Sequence, residues 1–196
     1  MAFLHFSITA TQPQQNITLA ANGLSLLLIL ALSLLPLFQI KAVNWLLSKD
    51  YKLAFGSHQG RLSHQWKGGT ATIVYSPGEE VWGIIWKMNT SDLCSLDRQE
   101  GVENGIYIPI EVTVRTQDGK IVKCRSYQMN DYVHDLPSPQ YQRVICLGAK
   151  QNELPMDYQK KLNSIETNNY AGPVPVFEEI KAALSVSGKQ NNEDQF

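Results

Sequence analysis

Apolar and polar positions alternate in short runs through the middle of the chain, as in strands whose two faces meet different surroundings. Four such runs predict strands: 69–75, 81–87, 105–115 and 121–129. Ser76-Pro77-Gly78 after the first run and Asp118-Gly119 between the last two predict hairpin turns. Before them, the small and polar residues from Phe55 to Gly60 predict a loop.

Helical patterns interrupt the strands once and then dominate the C-terminal third. Asn89 to Asp92 form an N-cap cluster before a short helix that ends near Glu100-Gly101. Three further helices are predicted: Pro139 to about Glu153, Met156 to about Ile165, and Val176 to about Val186. We therefore expect an α+β domain over 50–186, with a mixed, mostly antiparallel, twisted or barrel-like sheet and inserted and C-terminal helices. The polar tail 187–196 is expected to be flexible.

The N-terminal segment, 1–49, differs in composition from the rest of the chain. Leu24 to Phe38 is almost unbroken apolar sequence, extendable to 17–40, and the first charge in the chain is Lys41. This length predicts a hydrophobic N-terminal helix, a candidate transmembrane helix near 17–40. The lysines that follow it would leave the domain in the cytoplasm, anchored to a membrane. A core helix in a soluble cytosolic protein, a segment foreign to the domain, and a cleaved leader remain alternatives, although a leader lacks its positive start here.

Composition narrows the function further. The 196 residues contain 43% hydrophobic residues, enough for one sizeable core, and their formal net charge is −1. A net charge of this size provides no positive electrostatic field to attract phosphates, so we do not expect a nucleic-acid partner. We expect a small-molecule substrate instead. The cysteines (Cys94, Cys124 and Cys146) are odd in number and set among apolar neighbours, which predicts buried free thiols in a reducing compartment.

Two residues are candidates for chemistry. Glu100 ends a helix against a glycine, close to the expected mouth of the sheet, where burial would raise its pKa and suit it to act as a general base or acid. A solvated glutamate is the ordinary alternative. Tyr141, in the first turn of a helix capped by Ser138, either binds a ligand or packs on the sheet. A metal site is not expected, since the pairs His58 with His64 and Asp97 with Glu100 are each too sparse.

From about Asp50 to Leu184 the order of segments resembles the gamma-glutamylcyclotransferase family. The resemblance is carried by these motifs: Lys52-Leu53-Ala54-Phe55-Gly56, Trp66-Lys67-Gly68-Gly69-Thr70-Ala71-Thr72-Ile73, Ser76-Pro77-Gly78-Glu79-Glu80-Val81-Trp82-Gly83, Leu96-Asp97-Arg98-Gln99-Glu100-Gly101-Val102, Cys124-Arg125-Ser126-Tyr127 and Pro137-Ser138-Pro139-Gln140-Tyr141. It implies the fold of that family and release of 5-oxoproline from γ-glutamyl amino acids. It also implies that Glu100 is the catalytic glutamate, that Tyr141 helps to hold the substrate, and that no cofactor is needed.

One motif of the family is missing. Its N-terminal Tyr-Gly-Ser-Asn loop, which supplies hydrogen-bond donors to the substrate, would fall where this chain has Ala20-Ala21-Asn22-Gly23-Leu24-Ser25-Leu26. Because the family's first strand flanks that loop, the change is also expected to threaten the sheet. The resemblance therefore leaves two hypotheses, an active cyclotransferase or an impaired variant that acts as a scaffold or a membrane-addressed protein. A homodimer is a further expectation.

Overall fold

A computed structural model describes residues 9–10, 16–21, 41–90 and 93–182, with side chains from residue 49 onward except at 86–89. The strands are β1 (Thr9–Ala10), β2 (Asn16–Ala21), β3 (Lys41–His58), β4 (Thr70–Asn89), β5 (Tyr107–Thr116), β6 (Ile121–Met129) and β7 (Tyr132–His134). The helices are α1 (Leu93–Gln99), α2 (Pro139–Gln151), α3 (Met156–Asn163) and α4 (175–182), with a 3-10 turn at Val102–Asn104. This is the α+β class that the sequence predicts.

All strands belong to a single mixed sheet. The path runs β1-β2-β4-β3-β5-β6 with antiparallel neighbours, and β7 pairs with β3. A parallel pairing of Leu19 in β2 with Arg125 in β6 links strands that lie apart in this path. Because that link brings the ends of the path together, the sheet curls into the barrel-like form expected from the pattern.

The predicted hairpin at Ser76-Pro77-Gly78 is wrong. The chain from Thr70 to Asn89 is one strand, and both halves pair with β3: Lys49 pairs with Glu80, and Tyr51 with Tyr75. The residues between Tyr75 and Glu80 therefore form an outward bulge opposite Asp50. The Gly78 amide donates to Asp50 Oδ1 (3.0 Å), so the turn signal marks a bulge rather than a reversal.

The predicted loop at 55–60 is also corrected, because β3 continues to His58 before the chain turns. At its other end, β3 runs through residue 50, where the domain was expected to begin. The boundary between a segment 1–49 and a domain 50–186 stays a prediction.

The hydrophobic N-terminal helix is not supported: residues 16–21 form a strand paired with β4, and 22–40 lie outside the described residues. Within the described ranges, no helix is long and apolar enough to cross a membrane. The sheet thus has an N-terminal strand despite the departure from the family pattern.

The C-terminal helices follow their sequence signals closely. Ser138 caps α2 by accepting a hydrogen bond from the Tyr141 amide (3.2 Å), and Pro139 occupies the first turn. Apolar side chains of α2 and α3 pack on the sheet in the larger of two core clusters, which includes Tyr141, Val144, Ile145, Tyr158 and Leu162. These contacts fix the C-terminal half of the chain against the strands that carry the site.

The three cysteines are free thiols, but they differ in exposure. Cys124 is buried in the smaller core cluster, where burial raises the pKa of its thiol to about 12. Cys146 is half-buried. Cys94 is exposed, so the prediction that all three are buried is wrong for this residue.

Candidate functional site

Glu100 is fixed by a compact turn between α1 and β5. Its amide donates to Leu96 O (2.9 Å) and closes the last turn of the helix. Gly101 then adopts a left-handed φ of 67°, and its carbonyl accepts from the amides of Asn104 (3.0 Å) and Ile106 (3.1 Å). A left-handed φ suits glycine, so the Glu100-Gly101 pair sets where the carboxylate points.

The Glu100 side chain is buried, with 1% of the residue exposed. Neither carboxyl oxygen has a hydrogen-bond partner among the described residues. Burial raises the pKa of this carboxyl well above 4.5, and the negative charge of Asp97 raises it further. A carboxylate that is buried without a cation partner is costly to ionise, and such residues concentrate at functional sites.

Asp97, one turn before Glu100, is held by two side chains of β6. Arg125 Nη2 donates to Asp97 Oδ1 at 2.7 Å, and the Tyr127 hydroxyl donates to the same oxygen. The Arg125 guanidinium also lies 5.3 Å from the centre of the Tyr127 ring. Asp97 therefore keeps its charge paired while Glu100 does not, and the two carboxylates do not form a shared cation site.

Two tyrosines hold the backbone of Ala71 at the start of β4. The Tyr107 hydroxyl donates to Ala71 O (3.2 Å) and contacts Thr70 Oγ1 (3.0 Å), whereas the Tyr141 hydroxyl accepts from Ala71 N (3.0 Å). Burial raises the pKa of both phenols, and the charge of Glu100 contributes to both shifts. Glu100 therefore lies close enough to both hydroxyls to act on them electrostatically.

A cavity of about 730 Å³ opens beside Glu100. Its described lining includes Glu100, Tyr107 and Thr70, called the floor, and six residues at and after the end of β3, called the wall: His58, Arg61, Leu62, Ser63, His64 and Gln65. Tyr141 is not among the described lining residues; it packs between Trp66 and Phe55 with ring centres at 4.7 and 6.1 Å. The cavity has the volume typical of small-molecule sites.

Glu100, which the sequence predicts as a catalytic residue, lines the cavity, and its role stays a prediction. Tyr107 and the wall were not predicted from the sequence. The signal for Tyr107 is weak, since it is one apolar position among several in β5. The wall includes His58 and His64, which were considered as metal ligands. Across the described ranges, no group of three or more His, Cys, Asp or Glu side chains is placed to hold a metal ion.

The chain is a small α+β protein with a barrel-like sheet and, beside a cavity of small-molecule size, a buried carboxylate that has no hydrogen-bond partner among the described residues. Comparison with known proteins identifies the family. The model of the AIG2-like family matches residues 80–162. The Bos taurus gamma-glutamylcyclotransferase is 64% identical over 126 residues, which is 64% of this chain and 67% of the relative.

Solved structures agree with the sequence relatives. A gamma-glutamyl cyclotransferase structure superposes with a TM-score of 0.71 at 51% identity, covering 74% of this chain and 86% of its own. A crystal structure of a human protein described as uncharacterized has a TM-score of 0.79 at 48% identity, covering 88% of this chain and 99% of its own. The chain belongs to the gamma-glutamylcyclotransferase family.

Proposed function

We propose that this chain converts γ-glutamyl amino acids to 5-oxoproline and the free amino acid, with Glu100 as general base and acid. The observation that carries the proposal is the position of Glu100, a buried carboxylate that has no hydrogen-bond partner among the described residues and lies beside a cavity of small-molecule size. A small γ-glutamyl compound is the only partner that the reaction requires.

The reaction is an intramolecular acyl transfer. The α-amine of the glutamyl group attacks its own γ-carbonyl carbon, a C–N bond forms to close the five-membered ring, and the original amide C–N bond breaks. The amine must lose a proton, and the leaving nitrogen must gain one. A single carboxylate can take the first proton and return it to the second nitrogen, so one residue serves both steps.

The environment of Glu100 suits this role. The raised pKa makes its carboxylate a stronger base than a solvated glutamate, and extends to higher pH the range in which the protonated form is available to donate. Tyr107 lines the same cavity, its hydroxyl donates to Ala71 O, and burial raises the pKa of the phenol. Asp97 adds negative charge that favours the protonated form of Glu100.

Tyr141 contributes to substrate binding, in this proposal, by holding the strand that carries the site. Its hydroxyl holds Ala71 N, and the Ala71 carbonyl in turn receives the hydroxyl of Tyr107, which lines the cavity. Thr70, adjacent in sequence, also lines the cavity. The family's donor loop corresponds to 20–26, most of which lies outside the described residues.

The test is release of 5-oxoproline from γ-glutamyl-alanine by the full chain. We expect turnover by the wild-type protein and a loss of about 10²- to 10⁴-fold in kcat for Glu100→Gln, the range that general acid–base groups supply. Glu103→Gln is the matched control, because Glu103 is an exposed glutamate three residues later in the same turn. No turnover by a folded wild-type chain would contradict the proposal and favour a scaffold role.

A further inference from the structure

The wall of the cavity carries one full positive charge among its described residues. Among the described lining residues, Arg61 is the single lysine or arginine. The Arg61 side chain is exposed and forms no ion pair with any residue that the structure describes. By contrast, Arg125 beside the floor is paired with Asp97. Within the part of the chain that the structure describes, Arg61 is therefore an exposed cation of the cavity lining without an ion-pair partner.

The backbone holds Arg61 in place. Gln59 and Gly60 have φ values of 54° and 76°, and the Arg61 amide donates to His58 O at 3.0 Å. Two consecutive positive φ values with this bond are typical of a type I′ turn, which reverses the chain tightly at the end of β3. Arg61 consequently lies beside His58, with which it forms an antiparallel bridge.

The turn is also tied to the neighbouring turn between β6 and β7. The Gln59 amide donates to Asp131 O (3.0 Å), its side-chain amide donates to Asp131 Oδ2 (3.0 Å), and His58 Nδ1 donates to Asn130 O (2.7 Å). Three bonds from two adjacent residues fix the base of the wall. The position of Arg61 is thus built into the fold, although its side chain is accessible.

The geometry points to Arg61 as the residue that binds the α-carboxylate of the amino acid released in the reaction. This inference rests on the proposed function. A γ-glutamyl dipeptide carries two carboxylates, one on the glutamyl α-carbon and one on the leaving amino acid. A guanidinium binds a carboxylate through two parallel N–H donors, which gives both affinity and orientation.

The choice between the two carboxylates follows from the distance to the reacting atoms. The glutamyl carboxylate shares a carbon with the attacking amine and must lie close to Glu100. Glu100 is 1% exposed whereas Arg61 is exposed, so the two residues mark the buried and the solvent-facing parts of the cavity lining. The carboxylate of the leaving amino acid lies beyond the amide that breaks, on the side available to the wall. Arg61 would then favour amino acids with a free carboxylate as the leaving group.

The test compares γ-glutamyl-alanine with γ-glutamyl-alanine amide, which lacks the second carboxylate. For Arg61→Gln we expect KM for γ-glutamyl-alanine to rise about tenfold or more, since a hydrogen bond to a charged group is lost. The KM for the amide and kcat for both compounds should stay within about twofold of wild type. Arg61→Lys should recover part of the affinity. Arg115→Gln removes an exposed arginine of β5 outside the described cavity lining and is the matched control.

Equal changes with both compounds would overturn the inference, because Arg61 would then bind the glutamyl carboxylate or act on the fold. No change with either would overturn it as well. Inactivity of the wild-type chain on both compounds would instead refute the proposed function. Calorimetric binding of both compounds to Glu100→Gln, with and without Arg61→Gln, would still decide the role of Arg61. Selective loss of γ-glutamyl-alanine binding would support it, and any other result would contradict it.

Discussion

Asp97 lies one helical turn before Glu100, and its negative charge acts on the Glu100 carboxyl, whose pKa is already raised by burial. Asp97 itself is paired with Arg125 at 2.7 Å and accepts the Tyr127 hydroxyl. The paired aspartate and the unpaired glutamate therefore have different environments within one short segment. Such separation of two carboxyl groups is typical of sites in which one of them moves a proton.

The pH dependence of turnover should report this relationship. Because Glu100 must be ionised to take a proton from the amine, kcat/KM should fall as pH decreases through its raised pKa, well above 4.5. Asp97→Asn removes a nearby negative charge, so the acidic limb should move to lower pH. The measurement is kcat/KM for γ-glutamyl-alanine from pH 4.5 to 9. A limb that stays in place in Asp97→Asn would contradict the coupling. Because that variant also unpairs Arg125, its melting temperature must be recorded at each pH.

Stability should depend on the same group. A carboxyl whose pKa is raised on folding stabilises the fold fully below its unfolded pKa, and this contribution is lost as pH rises through the folded value. Wild-type protein should therefore lose melting temperature relative to Glu100→Gln as pH rises above 4.5, and each 1 kcal/mol corresponds to about 2–4 °C for a chain of this size. Parallel melting curves of the two proteins by differential scanning calorimetry would check this. A difference in melting temperature between the two proteins that stays constant with pH would show that Glu100 does not change its charge over the pH range measured.

The sheet shows which parts of the fold a sequence pattern can predict. The hairpin of β5 and β6 was correct because its signal is local: Asp118-Gly119 closes it, with the Gly119 amide donating to Thr116 O at 2.9 Å. Ser76-Pro77-Gly78 has an equally strong turn signal and yet lies inside β4. What decides there is the pairing of both halves of β4 with β3, which is set by residues more than twenty positions away. Local turn chemistry cannot show that pairing.

The N-terminal strand was missed for a different reason. Residues 16–21 are a short, mostly apolar stretch next to a long apolar run, and periodicity alone does not separate a buried strand from a helix in such a case.

The residues of the candidate site also differ in how far the sequence predicts them. Glu100 was predicted from its place at a helix end before a glycine and from the family resemblance, and its role stays a prediction. Tyr107 and Arg61 join it in the cavity lining only when β3, β5 and the turn at 59–60 come together in space.

Loss of the Tyr141 hydroxyl should mainly destabilise the protein. In Tyr141→Phe the Ala71 amide loses its partner at 3.0 Å, and a buried unpaired N–H costs about 1–3 kcal/mol. We expect a fall in the free energy of unfolding of this size in urea, with a KM increase below about tenfold. Tyr158→Phe removes another buried tyrosine hydroxyl, away from the cavity, and controls for general effects on the core. A large increase in KM at unchanged stability would instead indicate direct contact between Tyr141 and the substrate.

Two glycines of the turn after α1 allow a matched test of how Glu100 is positioned. Gly101 and Gly105 have nearly the same left-handed φ, 67° and 66°, so alanine should cost about 1–2 kcal/mol of strain at each. A Cβ at Gly101 would also lie 2.9 Å from Ile106 Cδ1, whereas a Cβ at Gly105 would meet nothing within 4 Å. Gly101→Ala should therefore lower both stability and kcat, because the turn must shift and Glu100 moves with it. Gly105→Ala should lower stability alone. Unfolding in urea and kcat for γ-glutamyl-alanine, measured on both variants, would test this, and equal losses of kcat would show that the position of Glu100 does not depend on the close packing at Gly101.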